Sequence, residues 1–312
     1  METRLKFRNY FSQVVALLVC VFLFACSHAA KRPQVMTTST PPLGQVGPPS
    51  QPSEIFGPPI PSVYGPSTPQ AKAIVVVFGP GMARGYTYAG VLRALNQNRI
   101  PVAAIFASQV GSLVAAIYAG DGNINHFEFG LLKFKPDVYE QKGGFLSHVL
   151  DRIEANDGRK FEDELKRVFK QKRIQETKLS LHIAIQYKKD RFPTVLDQGP
   201  LLEAIRSAVA LPAFFTPSAF ENVSAGAAVD PESALLIQAK ALGAGPVVLF
   251  DAEPEQRTSV DQATAKACDL TVDMNLSAIA DNDFRKMTDA AFIGKTETQN
   301  RIPQIKTLLG MP

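Results

Sequence analysis

The chain has 312 residues, of which 46% are hydrophobic, so it is long and apolar enough to bury one large core. Its formal net charge is +4, and the first nine residues supply +2 of it (Arg4, Lys6 and Arg8 less Glu2). The remaining charge of about +2 (4 − 2) gives no support to nucleic-acid binding.

The N-terminal segment predicts a bacterial signal peptide over residues 1–25. A basic start precedes an apolar run from Val14 to Ala25, which is shorter than the roughly 20 residues that a membrane span needs. The sequence Leu23-Phe24-Ala25-Cys26 resembles the lipobox of bacterial lipoproteins, although Phe24 is bulkier than that motif prefers. A single membrane-spanning anchor is the alternative.

Lipidation at Cys26 would attach the chain to membrane lipid in the bacterial cell envelope. Ser27 follows the cysteine, and this favours the outer membrane if the organism is Gram-negative. Cleavage would remove Cys20 together with the signal peptide, and Cys26 would carry the lipid. Only Cys268 would then remain as a free thiol, so no intramolecular disulfide could form.

Residues 26–70 predict an extended tether. Eleven of the 23 prolines lie between Pro33 and Pro69, and proline at this density removes amide donors and fixes the backbone torsion φ. Binding of a partner to the Pro-x-x-Pro pairs is the alternative to a plain linker. We therefore expect the globular domain to cover residues 71–312.

Strands and helices alternate from residue 73 onward, which predicts an α/β domain. The β-branched run Ala73–Phe78 is typical of a buried parallel strand, and a glycine-rich turn and an amphipathic helix follow it. Alternation of this kind favours a mostly parallel sheet that helices cover on both faces. The further predicted elements are a strand over Pro101–Phe106, a helix over Ser112–Ala119, and strands over Leu179–Tyr187 and Gly245–Ala252.

The stretch from Phe78 to Gly120, "FGPGMARGYTYAGVLRALNQNRIPVAAIFASQVGSLVAAIYAG", resembles the start of a patatin-like phospholipase domain. The similarity continues through Gly199–Pro217 and Cys268–Lys295. The resemblance implies a three-layer α/β/α fold. It also implies a lipid acyl hydrolase that uses a serine on a Gly-x-Ser-x-Gly elbow and an aspartate, without a required histidine. We expect no cofactor and no metal.

At the serine position of that elbow this chain has Gln109. Ala107 and Gly111 stand at the glycine positions, so the small residues that a tight strand-to-helix turn needs are kept. An amide side chain cannot form an acyl-enzyme. Ser108 is the fallback nucleophile, but it and Ser112 are better explained as helix-start or packing residues.

The position of the catalytic aspartate also indicates that the catalytic residues are missing. When residues are counted without gaps from the similar segments before and after this position, the Asp-Gly-Gly of the resemblance falls on Ala227 to Val229. Asp230 is close enough for a local shift to rescue the role, although in "VDPES" it is also explained simply as a turn acid before proline.

The glycine-rich loop agrees better with the resemblance, which assigns it to an oxyanion hole. Pro80 removes one donor, Met82 crowds another position, and the alternative is that this loop merely shapes a turn. The candidate oxyanion-loop residues are Gly79, Gly81, Met82, Arg84 and Gly85.

Other candidate sites are weaker. His126, His148 and His182 lack metal-ligand spacing, and the amphipathic segment Arg159–Arg173 predicts a solvated helix that could also lie on anionic lipid. The sequence therefore favours a non-catalytic patatin-like lipoprotein that binds a lipid, an acyl chain or an envelope protein. The alternative is an active acyl hydrolase with a displaced serine.

Overall fold

A computed structural model describes residues 72–139, 158–170, 172–212, 214–256, 266 and 268–312. The predicted signal peptide, Cys26 and the predicted tether lie outside these ranges, so their assignments stay predictions.

Within the described ranges, eight strands form one sheet in the order β5-β6-β3-β2-β1-β7-β8, and β4 also pairs with β3. The strands are β1 (Ile74–Phe78), β2 (Val102–Ala107), β3 (Ser180–Tyr187), β4 (Thr194–Leu196), β5 (Ser218–Phe220), β6 (Val223–Ala227), β7 (Val247–Asp251) and β8 (Leu270–Asp273).

The centre of the sheet is parallel, because β1 pairs with both β2 and β7 in that direction. Val75 lies opposite Ala104 on one side and Val247 on the other, and every residue of β1 is fully buried. The pairs β2–β3 and β7–β8 are also parallel, whereas β4, β5 and β6 pair antiparallel at the other end. The expected mostly parallel sheet is confirmed.

Helices cover both faces of the sheet. The α-helices within the described ranges are α1 (Thr87–Gln97), α2 (Gln109–Ala119), α3 (Ile124–Leu131), α4 (Pro136–Tyr139), α5 (Arg159–Phe169), α6 (Leu201–Ala208), α7 (Glu232–Leu242) and α8 (Met287–Leu309). Leu235 and Leu236 of α7 pack with Val75 and Val77 on one face, while α1, α2, α6 and α8 contribute to the core on the other. This is the expected three-layer α/β/α architecture.

Element boundaries differ from the sequence-based ones by a few residues. Helix α2 begins at Gln109 and not at Ser112, because the backbone turns into the helix immediately after Ser108. Helix α5 ends at Phe169, where Lys170 adopts a positive φ of 52°. Its buried residues Phe161, Leu165 and Phe169 lie on one face, as the amphipathic pattern indicates.

Helices α1 and α8 approach each other closely through glycines. A Cβ atom added to Gly90 would lie 1.9 Å from the carbonyl oxygen of Ala291, and one added to Gly294 would lie 2.0 Å from that of Thr87. Only glycine allows backbones to approach this closely. In the described parts of the chain, no helix combines the length and the apolar composition needed to cross a bilayer.

Candidate functional site

The turn between β2 and α2 has the geometry of a nucleophile elbow, with glutamine at its apex. Ser108 is extended (φ −135°, ψ 166°), and Gln109 then enters the left-handed region at φ 46°. A positive φ in a non-glycine residue costs on the order of 1–3 kcal/mol and persists only where the surroundings hold it. The fold has therefore kept the strained turn at the carboxyl edge of its parallel strands.

Small residues let the glycine-rich loop pack directly on this elbow. A Cβ at Gly85 would lie 3.2 Å from both the amide nitrogen of Gly111 and the Cβ of Val110. A Cβ at Gly111 would lie 3.1 Å from the ring of Tyr88. The spacing that the sequence shares with the elbow motif thus has a steric explanation in this fold.

The side chain of Gln109 accepts a hydrogen bond from a backbone N–H of the glycine-rich loop. The N–H of Gly81 donates to Gln109 Oε1 over 2.9 Å, and this contact is buried. Gly81 has a φ of 151°, a conformation that side-chain-bearing residues rarely adopt, so glycine is required to aim the N–H in this direction. The oxyanion donor that the resemblance implies is therefore satisfied from within the protein.

This hydrogen bond also fixes the orientation of the Gln109 amide. Because the Gly81 N–H must point at an acceptor, Oε1 faces the loop and Nε2 faces away from it. Gln109 is only 7% exposed, and in the part of the chain that the structure describes its Nε2 has no hydrogen-bond partner.

Arg84, another residue of the candidate oxyanion loop, is engaged elsewhere. Its Nε donates to the carbonyl oxygen of Ile279 over 2.7 Å and lies 3.0 Å from Asp281 Oδ1, while its Nη1 pairs with Glu255. The guanidinium thus ties the loop to the segment around residue 280.

Tyr88 anchors the start of the same loop. Its hydroxyl donates to the carbonyl oxygen of Gly79 over 3.0 Å and accepts from the N–H of Ala252 over 3.2 Å. Its ring stacks on Phe78 with centroids 4.3 Å apart. Burial raises the Tyr88 pKa well above its usual value, with the Asp251 charge as the next cause, so the hydroxyl stays protonated. The tyrosine joins the ends of β1 and β7.

A pocket of about 210 Å³ opens beside Gln109. The structure brings Gln109 and Asp230 together in it, and Asp230 holds a positive φ of 48°. Ala227 is the last residue of β6 and is not in the pocket wall. The wall is formed by Pro80, Met82, Gln109, Leu211, Phe214, Ala228, Val229, Asp230, Pro231, Glu232, Glu253 and Asp281.

Ser108 and Ser112 are both fully buried, and neither is in the wall of this pocket. Ser108 is the N-cap residue of α2, and its side chain makes no capping hydrogen bond. Both hydroxyl oxygens lack a hydrogen-bond partner within the described residues. Their placement agrees with packing roles.

Three acidic residues of the pocket wall were not identified from the sequence: Glu232, Glu253 and Asp281. The signal for Glu253 is its position just beyond the carboxyl end of β7, where open α/β sheets bind ligands. Burial raises its pKa to about 7, and Asp281 is the next largest cause. Arg84 lowers the pKa, whereas Asp251 and Glu255 raise it further.

The histidines do not form a metal site among the residues that the structure describes, since no group of three or more His, Cys, Asp or Glu side chains there could hold a metal ion. His126 contacts Asp121 at the surface. His182 stacks on Phe106 with centroids 4.0 Å apart, and burial lowers its pKa. His148 lies outside the described residues.

The model of the family described as "Patatin-like phospholipase" matches residues 76–234, slightly more than half of the chain. The chain belongs to the patatin-like phospholipase family. The match includes the glycine-rich loop, the elbow and Asp230, which are the parts of this patatin-like domain that meet at the pocket.

Individual relatives share shorter stretches. "Lysophospholipase nte1" of Aspergillus fumigatus is 40% identical over 53 residues, which are 17% of this chain and 4% of that protein. "Patatin-like phospholipase domain-containing protein 7" of Rattus norvegicus is 23% identical over 146 residues, 47% of this chain and 11% of that protein. The chain thus spans only a small part of these curated relatives.

Among solved structures, VipD from Legionella pneumophila is similar, with a TM-score of 0.47 at 10% identity. The match covers 76% of this chain and 67% of that one.

Proposed function

We propose that this patatin-like protein is a lipid-anchored envelope protein whose domain does not hydrolyse lipids. It binds a lipid, an acyl group or a partner protein instead. The observation that carries the proposal is Gln109, which stands at the apex of the elbow with its Oε1 on the N–H of Gly81.

Gln109 opposes catalysis in two ways. Its side chain has no hydroxyl or thiol with which to attack an ester. Its amide oxygen also occupies the Gly81 donor, so an ester oxygen would have to displace an existing buried hydrogen bond to be polarised there. Loss of a nucleophile alone costs about a millionfold in turnover in serine hydrolases.

An active enzyme with a displaced serine is the alternative, and the position of Ser108 argues against it. Its Oγ is fully buried, and Ser108 is not in the pocket wall. Presenting this oxygen to a substrate would require the strained turn to rearrange.

The proposal is tested by fluorophosphonate labelling and ester hydrolysis with the full chain. The unmodified protein is expected to show neither activity. Labelling of the unmodified protein that maps to Ser108 and disappears in Ser108→Ala would establish the displaced-serine alternative.

Two variants test whether the remaining site is competent. Gln109→Ser supplies a nucleophile and frees the Gly81 N–H, but it leaves alanine at position 227. Gln109→Ser with Ala227→Asp adds the carboxylate that the family resemblance places there. We expect little activity from the single variant and more from the double variant. Activity of Gln109→Ser that is lost on adding Asp230→Asn would instead assign the base to Asp230, which lines the pocket.

A further inference from the structure

We infer that the pocket beside Gln109 binds a small cationic amine, one whose ammonium group is accompanied by an oxygen acceptor and a short apolar portion. This inference rests on the proposed function, because it requires Gln109 to act as a binding residue in place of a nucleophile. It goes further by assigning a charge and a chemical class to the ligand.

The charge of the pocket wall is the first observation. Four carboxyl groups line it, from Asp230, Glu232, Glu253 and Asp281, and no lysine, arginine or histidine is in its described wall. The nearby cation, Arg84, pairs with Glu255 and with Asp281 and so offsets the Asp281 charge, and we therefore assign the ammonium site to Asp230 and Glu253. An anionic phosphate or fatty-acid carboxylate would meet like charge in this pocket, whereas an ammonium group would meet opposite charge.

The Gln109 side chain is the second and independent observation. Gln109 is in the pocket wall, and its Oε1 already accepts from the Gly81 N–H. Its Nε2 is therefore the group that can donate to a ligand. Gln109 is nine-tenths buried, and within the described residues its Nε2 makes no hydrogen bond, so this donor is available to a ligand oxygen.

Glu253 supplies the matching acceptor. It is 6% exposed, and within the described residues its carboxyl group makes no hydrogen bond. Asp230 lines the same pocket, and an ammonium group has three N–H donors to distribute between such oxygens. Met82, Leu211 and Phe214 form apolar wall, which suits a short hydrocarbon chain.

The inference is tested by isothermal titration calorimetry with the full chain in nanodiscs, with empty nanodiscs as the reference. The probes are n-butylammonium, 4-amino-1-butanol, 1-butanol and butyrate. At pH 8 Glu253 is ionised, since its pKa is about 7. We expect the two amines to bind, 4-amino-1-butanol more tightly, and butanol and butyrate to bind at least tenfold more weakly, because a hydrogen bond to a charged group contributes roughly 1.5–3 kcal/mol.

Matched variants localise the binding. Glu253→Gln keeps the size of the side chain, removes one charge from the pocket and is expected to weaken amine binding about tenfold. Asp163→Asn removes one charge from an exposed position on α5 and is expected to leave binding unchanged. Gln109→Ala is expected to abolish the advantage of 4-amino-1-butanol over butylammonium, because it removes the Nε2 donor.

Phosphoethanolamine distinguishes the source of the amine. Binding equal to that of 4-amino-1-butanol would identify a lipid headgroup, whereas weaker binding would identify a free amine, since the phosphate meets the carboxylates. Butyrate binding as tightly as butylammonium, or equal amine binding by Glu253→Gln and Asp163→Asn, would overturn the inference. Fluorophosphonate labelling is a separate readout, so failure of the proposed non-catalytic function would be recognised independently.

Discussion

The hydroxyl of Tyr88 is expected to contribute strongly to stability, and Tyr88→Phe tests this. The substitution keeps the ring on Phe78 but removes one oxygen that satisfies two buried backbone groups, the Gly79 carbonyl and the Ala252 N–H. Each unsatisfied buried group costs about 1–3 kcal/mol, so we expect the two together to lower the free energy of unfolding by about 2–6 kcal/mol. For a domain of this size that loss corresponds to a fall in Tm of roughly 4–24 °C.

Urea denaturation followed by circular dichroism measures the loss. The matched control is Tyr118→Phe, which also removes a hydroxyl from a buried ring, one that packs against Phe127. In the described part of the chain the Tyr118 hydroxyl has no hydrogen-bond partner, so we expect its removal to cost less than about 1 kcal/mol. Equal losses in the two variants would refute the view that Tyr88 joins the loop to β7 through its hydrogen bonds.

Gly90→Ala is expected to cost at least about 1–3 kcal/mol in the same urea experiment, because the added Cβ would lie 1.9 Å from the Ala291 carbonyl oxygen; an unchanged midpoint would contradict the close helix contact. Folded Glu253 keeps its proton up to about pH 7, whereas a free glutamate titrates near 4.5. The folded state therefore binds more protons in this window, and the free energy of unfolding is expected to fall as the pH rises from 4.5 to 7. Glu253→Gln should flatten this slope, and a slope that persists in the variant would assign it to other groups. Cys26→Ala is expected to release the protein from membranes or stall its processing; an unchanged N-terminal mass and unchanged membrane extraction would reject the lipidation.

The fold could be predicted from local patterns. Strands β1 and β7 are buried on both faces and therefore have continuous apolar sequences, which the sequence analysis located to within two residues. The elbow was also predictable, because its requirement for small residues at positions 107 and 111 is local. Helix α2 begins three residues earlier than expected, since the strained Gln109 is itself the first helical residue.

The composition of the pocket could not be predicted in the same way. Asp230 and not Ala227 reaches the pocket, and a count along the sequence cannot specify how the turn after β6 places its side chains. Glu253 and Asp281 come from segments more than 140 residues beyond Gln109, and only the completed sheet brings them to it. Their negative charge is invisible in the overall composition, which is slightly basic.

The central position of β1 has a consequence for how the chain folds. Its pairing with β2 closes early, because Val75 and Ala104 are close in sequence, but its other edge must wait for β7, which ends at Asp251. Until that part of the chain has been synthesised, an apolar strand presents unpaired N–H and C=O groups to any other strand it encounters. Contacts at such sequence separations also form slowly. A newly made chain is thus prone to aggregation until β7 has been synthesised. We expect the yield of folded protein to depend on binding of another molecule to the open edge of β1 during that time.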